Sequence, residues 1–169
     1  MNREKDRLNK KLSEKEILNK MFRYCSYQER CIHDVEKQLE KYQVSDLSRK
    51  QIIEKLNNEG FLNEERYAQT YTLSKLRNNN WGKIKIVQGL KEKSIDGQLI
   101  NATVESIDSL EYQQVIKKLI RKKLKFIRDT ELFIIKNKIA RYIIGKGFES
   151  YLVWDEINDH IDEQNSDQL

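Results

Sequence analysis

The chain is expected to be all-α, built as three tandem three-helix repeats that form an elongated, curved helical array. Three observations lead there. Its 169 residues contain no proline and six glycines, with 35% charged and 38% hydrophobic residues, a composition of well-solvated helices rather than of a β-sandwich or a disordered chain. Apolar residues recur at helical spacing along nearly the whole length. Slid against itself, the chain places Lys85-Ile86 on Lys138-Ile139, Leu90 on Ile143, Lys93 on Lys146, Ile95 on Phe148 and Leu99-Ile100 on Leu152-Val153. A three-helix unit of about 45 residues is close to the lower limit of independent stability, so such units are expected to stack and share interfaces.

The elements follow in order. Residues 1–12 mix charges without apolar periodicity and read as a basic, flexible lead-in. Ser13 and Glu16 form a capping box for a helix striped by Ile17, Leu18, Met21, Phe22 and Cys25. Ser26 and Glu29 read as a second capping box, opening a helix on which Ile32, Val35, Leu39 and Tyr42 share a face. Ser48 is expected to cap a third helix, with Ile52, Ile53 and Leu56, which stops at Gly60; against the other repeats this one needs about four extra residues before Ile52. These helices make repeat 1, residues 13–62.

Repeat 2, residues 63–108, starts with Asn63 as a cap and Glu64 and Glu65 in the first turn, where negative charge opposes the helix dipole. Tyr67, Ala68 and Tyr71 give that helix its apolar stripe, and the polar cluster Arg77 to Asn80 ends it. After Trp81-Gly82 come a helix with Ile86, Val87 and Leu90 and another with Leu99, Ile100, Thr103, Val104 and Ile107. Repeat 3, residues 109–161, has Ile116, Leu119, Ile120, Leu124 and Ile127 on its first helix, Leu132, Ile135, Ile139 and Ile143 on its second, and Leu152, Val153 and Ile157 on its third. Residues 162–169 form an acidic tail.

The joint between repeats 1 and 2 also carries a resemblance. Gly60, Phe61, Leu62, Glu64, Glu65, Arg66, Tyr67, Ala68 and Tyr71, followed by Gly82-Lys83 and by Leu90, Lys93 and Ile95, resemble the RecX regulators of bacterial RecA recombinase. The chain departs from that pattern at Asn63 and at Ser94, where a glycine is expected. The resemblance implies a modulator that lodges in the groove of the RecA nucleoprotein filament, spans neighbouring protomers and restrains ATP hydrolysis and strand exchange in recombination, DNA repair and the SOS response. It implies no cofactor, a monomeric protein, and single- or double-stranded DNA as a weak or indirect second partner.

Charge supplies candidate contacts. Lys117, Lys118, Arg121, Lys122, Lys123, Lys125 and Arg128 lie in a run without a single acid, whereas Glu149 to Leu169 contains acids and no Lys or Arg. Like charges on successive turns repel, so either the acidic end of the chain or an anionic partner is expected beside the run. A second basic group, Arg66, Lys75, Arg77, Lys83, Lys85, Lys91 and Lys93, belongs to repeat 2. A solvated helix face accounts for the first run as well as a contact surface does. Two basic surfaces on one array suit a long partner such as a nucleic-acid backbone or a nucleoprotein filament. Trp81, Tyr67 and Tyr71 read first as packed joint residues and second as stacking platforms.

Several chemistries are absent from the pattern. There is no phosphate-cradling G-x-x-x-x-G-K-[ST], no G-x-G-x-x-G and no H-E-x-x-H, and His33 and His160 lie on polar or acidic stretches without a nucleophile. Cys25 and Cys31 match no zinc frame and are expected to be reduced, buried fillers. No apolar run approaches the roughly 18 residues that span a bilayer, and the amino terminus lacks a signal core, so a cytoplasmic protein that binds rather than catalyses is expected. The rival is a helical nucleic-acid-binding protein that acts without RecA.

Overall fold

The computed structural model describes residues 12–166, with side chains to 160; most of the lead-in and the side chains of the acidic tail lie outside the described residues. Among these residues all regular structure is helical: α1 (Glu14–Tyr27), α2 (Ile32–Leu39), a single 3-10 turn (Glu40–Tyr42), α3 (Asp46–Asn58), α4 (Glu64–Asn79), α5 (Lys83–Lys91), α6 (Gly97–Glu105), α7 (Ser109–Leu124), α8 (Leu132–Ile144) and α9 (Ser150–Ser166). The all-α expectation therefore holds. Packing divides the chain into two compact units that meet between Tyr67 and Ala68, inside α4.

In the first unit α1, α2 and α3 close over Ile17, Met21, Cys25, Val35, Leu39, Ile52, Leu56 and Leu62. The capping box of Ser13 and Glu16 forms in both directions. Gly60 takes φ 75°, and the Phe61 and Gly60 N–H groups turn back onto the Leu56 and Asn57 carbonyls at 2.8 and 2.9 Å, which is the expected glycine stop. Phe61 then meets the edge of Phe22 at 4.8 Å between centroids. Cys25 and Cys31 are buried and unbridged, and burial pushes both thiols up to about 11, so neither is a poised nucleophile.

Two expected caps are corrected. Ser26 does not open a helix: α1 continues through it to Tyr27, and its hydroxyl donates to the Phe22 carbonyl one turn back at 2.7 Å. The reason is that Met21 and Cys25 sit in the core, so the stripe holds the helix together past the serine. Helix α2 starts only at Ile32, and Cys31 at its cap makes no side-chain capping bond. Ser48 is not the cap of α3 either. Ser45 is, with extended backbone and its hydroxyl accepting the Ser48 N–H at 3.1 Å. Ser48 is instead buried on the first turn, its hydroxyl shared with Ser45 and with Glu14 of α1. Replacing Ser45 by alanine should cost about 1 kcal/mol, against within about 0.5 kcal/mol for Ser26→Ala, in urea unfolding followed by circular dichroism.

With Ser45 as the cap, the first triplet needs no extra residues before Ile52. The three second-to-third helix junctions share one backbone design: Gln43, Ser94 and Gly147 take φ 51°, 58° and 90°, and α3, α6 and α9 begin three residues later in each case. The apolar residue after the left-handed one is Val44, Ile95 or Phe148, and the last two are buried. Ser94 thus occupies the position where a glycine was expected and accepts its left-handed conformation, with its N–H on the Lys91 carbonyl at 2.9 Å.

In the second unit α5 packs on α6, while α7, α8 and α9 pack on one another. Helix α7 ends at Leu124, short of Ile127, because the Phe126 and Ile127 N–H groups bond three residues back and close a turn. No helix among the described residues is long and apolar enough to cross a membrane.

Candidate functional site

Helix α5 has no side-chain cap, and its first N–H groups are satisfied by the third triplet instead. The Gly82 and Ile84 N–H groups donate to the Lys146 and Gly147 carbonyls at 2.9 and 3.0 Å. The Lys83 N–H between them donates to the Tyr112 hydroxyl at 2.8 Å, and that hydroxyl donates to Glu149 Oε2 at 2.6 Å. The approach is possible only without side chains: a Cβ on Gly82 would overlap the Gly147 carbonyl, and one on Gly147 would lie 2.5 Å from Lys85 Cβ. Tyr112 is buried against Phe148, and burial, then the Glu149 carboxylate, hold its hydroxyl protonated well above the usual tyrosine range.

Onto this rigid joint the second basic group is distributed unevenly. Lys75 and Lys85 place their ammonium groups 4.9 and 4.7 Å from the centroid of the Trp81 indole, and Lys75 also lies 5.0 Å from the Tyr71 ring. Lys83 lies 5.1 Å from the Tyr112 ring. Arg77 grips Glu111 with two bonds, at 2.6 and 2.9 Å, and this bond holds the Glu111 carboxyl below the usual range. Arg66, in the first unit, bonds Glu29 at 2.7 Å and the Gly60 carbonyl at 3.1 Å. Lys91 is exposed, and Lys93 is half-buried with an interaction of its own. Lys75, Arg77, Lys83 and Lys85 thus serve packing within the second unit, where Tyr71 and Trp81 are half-buried; Tyr67 is buried in the first.

The acid-free run is divided by its helix. Lys117 reaches Glu156 of α9 at 3.5 Å, so the acidic end of the chain does fold back, and among the described residues it meets one lysine of the run. Glu156 is buried where the second triplet carries Thr103, and its Oε2 has no aligned hydrogen bond, so the nearby ammonium offsets part of its desolvation. Lys123 falls on the packed side and lies 5.2 Å from the Tyr142 ring of α8. Lys118, Arg121 and Lys122 on α7, Lys125 at its carboxyl cap and Arg128 in the following loop are exposed, and none meets a carboxylate among the described residues. These five cations form the uncompensated surface.

Sequence reasoning missed the cations that α8 and the turn after it add. Lys138 bonds Asp129 at 2.6 Å, Lys146 lies 5.2 Å from the same Tyr142 ring that Lys123 meets, and Arg141 is exposed. Their spacing in the sequence was legible, but the packing of α8 on α7 was needed to bring them near the acid-free run. Among the described residues no group of three or more His, Cys, Asp or Glu could hold a metal ion.

Residues 63–104 match the family model described as RecX, second three-helix domain. The chain is 29% identical over 147 residues to the regulatory protein RecX of Oceanobacillus iheyensis, covering 84% of this chain and 54% of the relative. It is 32% identical over 116 residues to that of Clostridium acetobutylicum, covering 66% of this chain and 51% of the relative. The chain therefore spans about half the length of the curated relatives it matches. In fold it is similar to the crystal structure of RecX from Lactobacillus salivarius, with a TM-score of 0.78, 23% identity and coverage of 88% of this chain and 96% of the other. A second RecX crystal structure gives a TM-score of 0.76 at 23% identity, over 86% of this chain and 71% of the other.

Proposed function

The chain belongs to the RecX family of regulatory proteins, and on that premise we propose that it binds the RecA nucleoprotein filament and restrains its ATPase and strand exchange in recombination and DNA repair. It acts by binding, as a cytoplasmic monomer, and performs no catalysis of its own. The observation that carries this reading, beyond the family, is the exposed side of α7. Lys118, Arg121, Lys122 and Lys125 repel one another there with no carboxylate among the described residues to offset the cost, and such a surface gains free energy from a polyanionic partner by releasing counterions. DNA lies within the filament, so the contact with nucleic acid accompanies the contact with RecA.

The test is a change of these four residues to Gln, which leaves Lys117 on Glu156 and Lys123 on Tyr142. Helicity should be unchanged, co-sedimentation with filaments formed on single-stranded DNA should weaken about tenfold or more at low salt, and the dependence of affinity on salt should flatten. Unchanged co-sedimentation at low salt would show the face to be merely solvated.

A further inference from the structure

We propose that the corner between α7 and α8 seats an unpaired nucleotide, its base stacked on Phe126 and its phosphate on Arg141 and the exposed cations of the acid-free run. The site rests on the nucleic-acid contact proposed above and adds to it a contact with the base. Between the end of α7 and the middle of α8 lies a cleft of about 420 Å³, whose lining includes Lys123, Phe126, Asp129, Lys138, Arg141 and Tyr142. Phe126, in the turn that follows α7, is 72% exposed, so its ring is open for stacking. The Tyr142 ring is half-buried and already meets the ammonium groups of Lys123 and Lys146. The platforms expected from the sequence are taken as well: Trp81 carries Lys75 and Lys85, and Tyr67 is buried.

The cleft makes two opposed demands of its occupant. Arg141, and Lys122, Lys125 and Arg128 beside the lining residues in the chain, meet no carboxylate among the described residues, so the rim favours negative charge. The wall does not. Asp129 bonds Lys138 at 2.6 Å, and that bond holds its carboxyl below the usual range, so it stands in the wall as an ionised acceptor that repels a phosphate and a carboxylate alike. A nucleotide divides the two demands between its parts. The phosphate stays at the cationic rim, while the edge of the base brings N–H groups that a carboxylate accepts and acceptors that the Lys138 ammonium can serve. The flat ring then lies on Phe126, as bases do on the aromatic side chains of single-strand binders. In a duplex each base is covered by its neighbours, so the strand that enters must be single.

The test titrates the full chain, without RecA, against labelled probes of about 12 nucleotides by fluorescence anisotropy: a single strand of mixed sequence, the same backbone made abasic throughout, and a duplex. The parent should bind the base-bearing strand about tenfold more tightly than the abasic one. Phe126→Ser, at an exposed position and with helicity retained, should lose that preference, stay within about twofold of the parent on the abasic strand and the duplex, and keep the parent's salt dependence, because stacking releases no counterions. Phe126→Trp should restore the preference. The proposal is overturned if the parent binds base-bearing and abasic strands equally, or if Phe126→Ser keeps the preference. It also falls if an acidic, leucine-rich helical peptide binds the parent and is lost in Phe126→Ser, which would make the ring an anchor for protein. Equal binding to the two strands removes the base site and leaves the phosphate contact standing, whereas a parent that binds neither strand at low salt overturns both.

Discussion

Replacing Gly82 by alanine should destabilise the second unit by about 3 kcal/mol, the sum of overpacking at a site that cannot relax and the weakening of two backbone bonds. The added methyl would meet the backbone of Gly147 and Phe148, not the movable end of a side chain. Both peptide groups are held, because the Gly82 and Ile84 N–H groups bond the turn around Gly147. Gly97→Ala is the matched control: nothing lies within 4 Å of a Cβ there, and the residue opens α6. That change should stabilise by up to about 1 kcal/mol through the unfolded chain and helix propensity. Urea unfolding of the two variants separates these outcomes, and a Gly82→Ala chain as stable as the parent would mean the close approach is not made in solution.

Tyr112→Phe should cost about 2 kcal/mol, because it strands the Lys83 N–H and removes the donor to Glu149 at a buried position. Its pH signature is more specific than its size. The folded hydroxyl is held protonated above its ordinary range by burial and by Glu149, so its contribution is complete below the unfolded tyrosine pKa of about 10. It is lost as pH rises beyond that value, since the unfolded tyrosine ionises while the folded one does not. Stability measured between neutral and strongly alkaline pH should fall less steeply in Tyr112→Phe than in the parent. Equal slopes would show that Tyr112 ionises as freely in the folded chain as in the unfolded one.

The joint that Tyr112 organises was only partly legible beforehand. Local signals were enough where the cap and the apolar stripe agree, as at Ser13 with Glu16 and at Gly60 with Leu62. They failed where a serine had two uses. Ser26 bonds back into α1 and Ser48 lies one turn inside α3, because core residues on either side set the helix limits and the hydroxyls take what remains. The left-handed Gln43 and Ser94 carry no glycine to announce them, yet the buried Ile95 and the helix that starts beyond it leave Ser94 no other turn. The bonds from Gly82, Lys83 and Ile84 join residues far apart in sequence, and no short-range pattern encodes them.

The candidate contacts divide for the same reason. A basic residue in sequence is a count of charge, and its use depends on which carboxylates and rings the fold brings near. Arg66 and Arg77 are spent on Glu29 and Glu111, and Lys75 and Lys85 on Trp81, whereas Lys118, Arg121 and Lys122 keep their charge outward. The surface left for a polyanion is therefore narrower than the run that suggested it, and α8 widens it with Arg141.

The most direct test of the filament reading is the single-strand-dependent ATPase of the cognate RecA in the presence of this protein. A ligand shifts an assembly only through differential affinity for one of its states, so a modulator must bind the formed filament better than its free components. Sub-stoichiometric protein should slow the ATPase, and adding single-stranded DNA in excess should not relieve the effect. Full recovery of the rate with excess DNA would mean that the protein only masks DNA, and it would contradict the proposal that it acts on the filament.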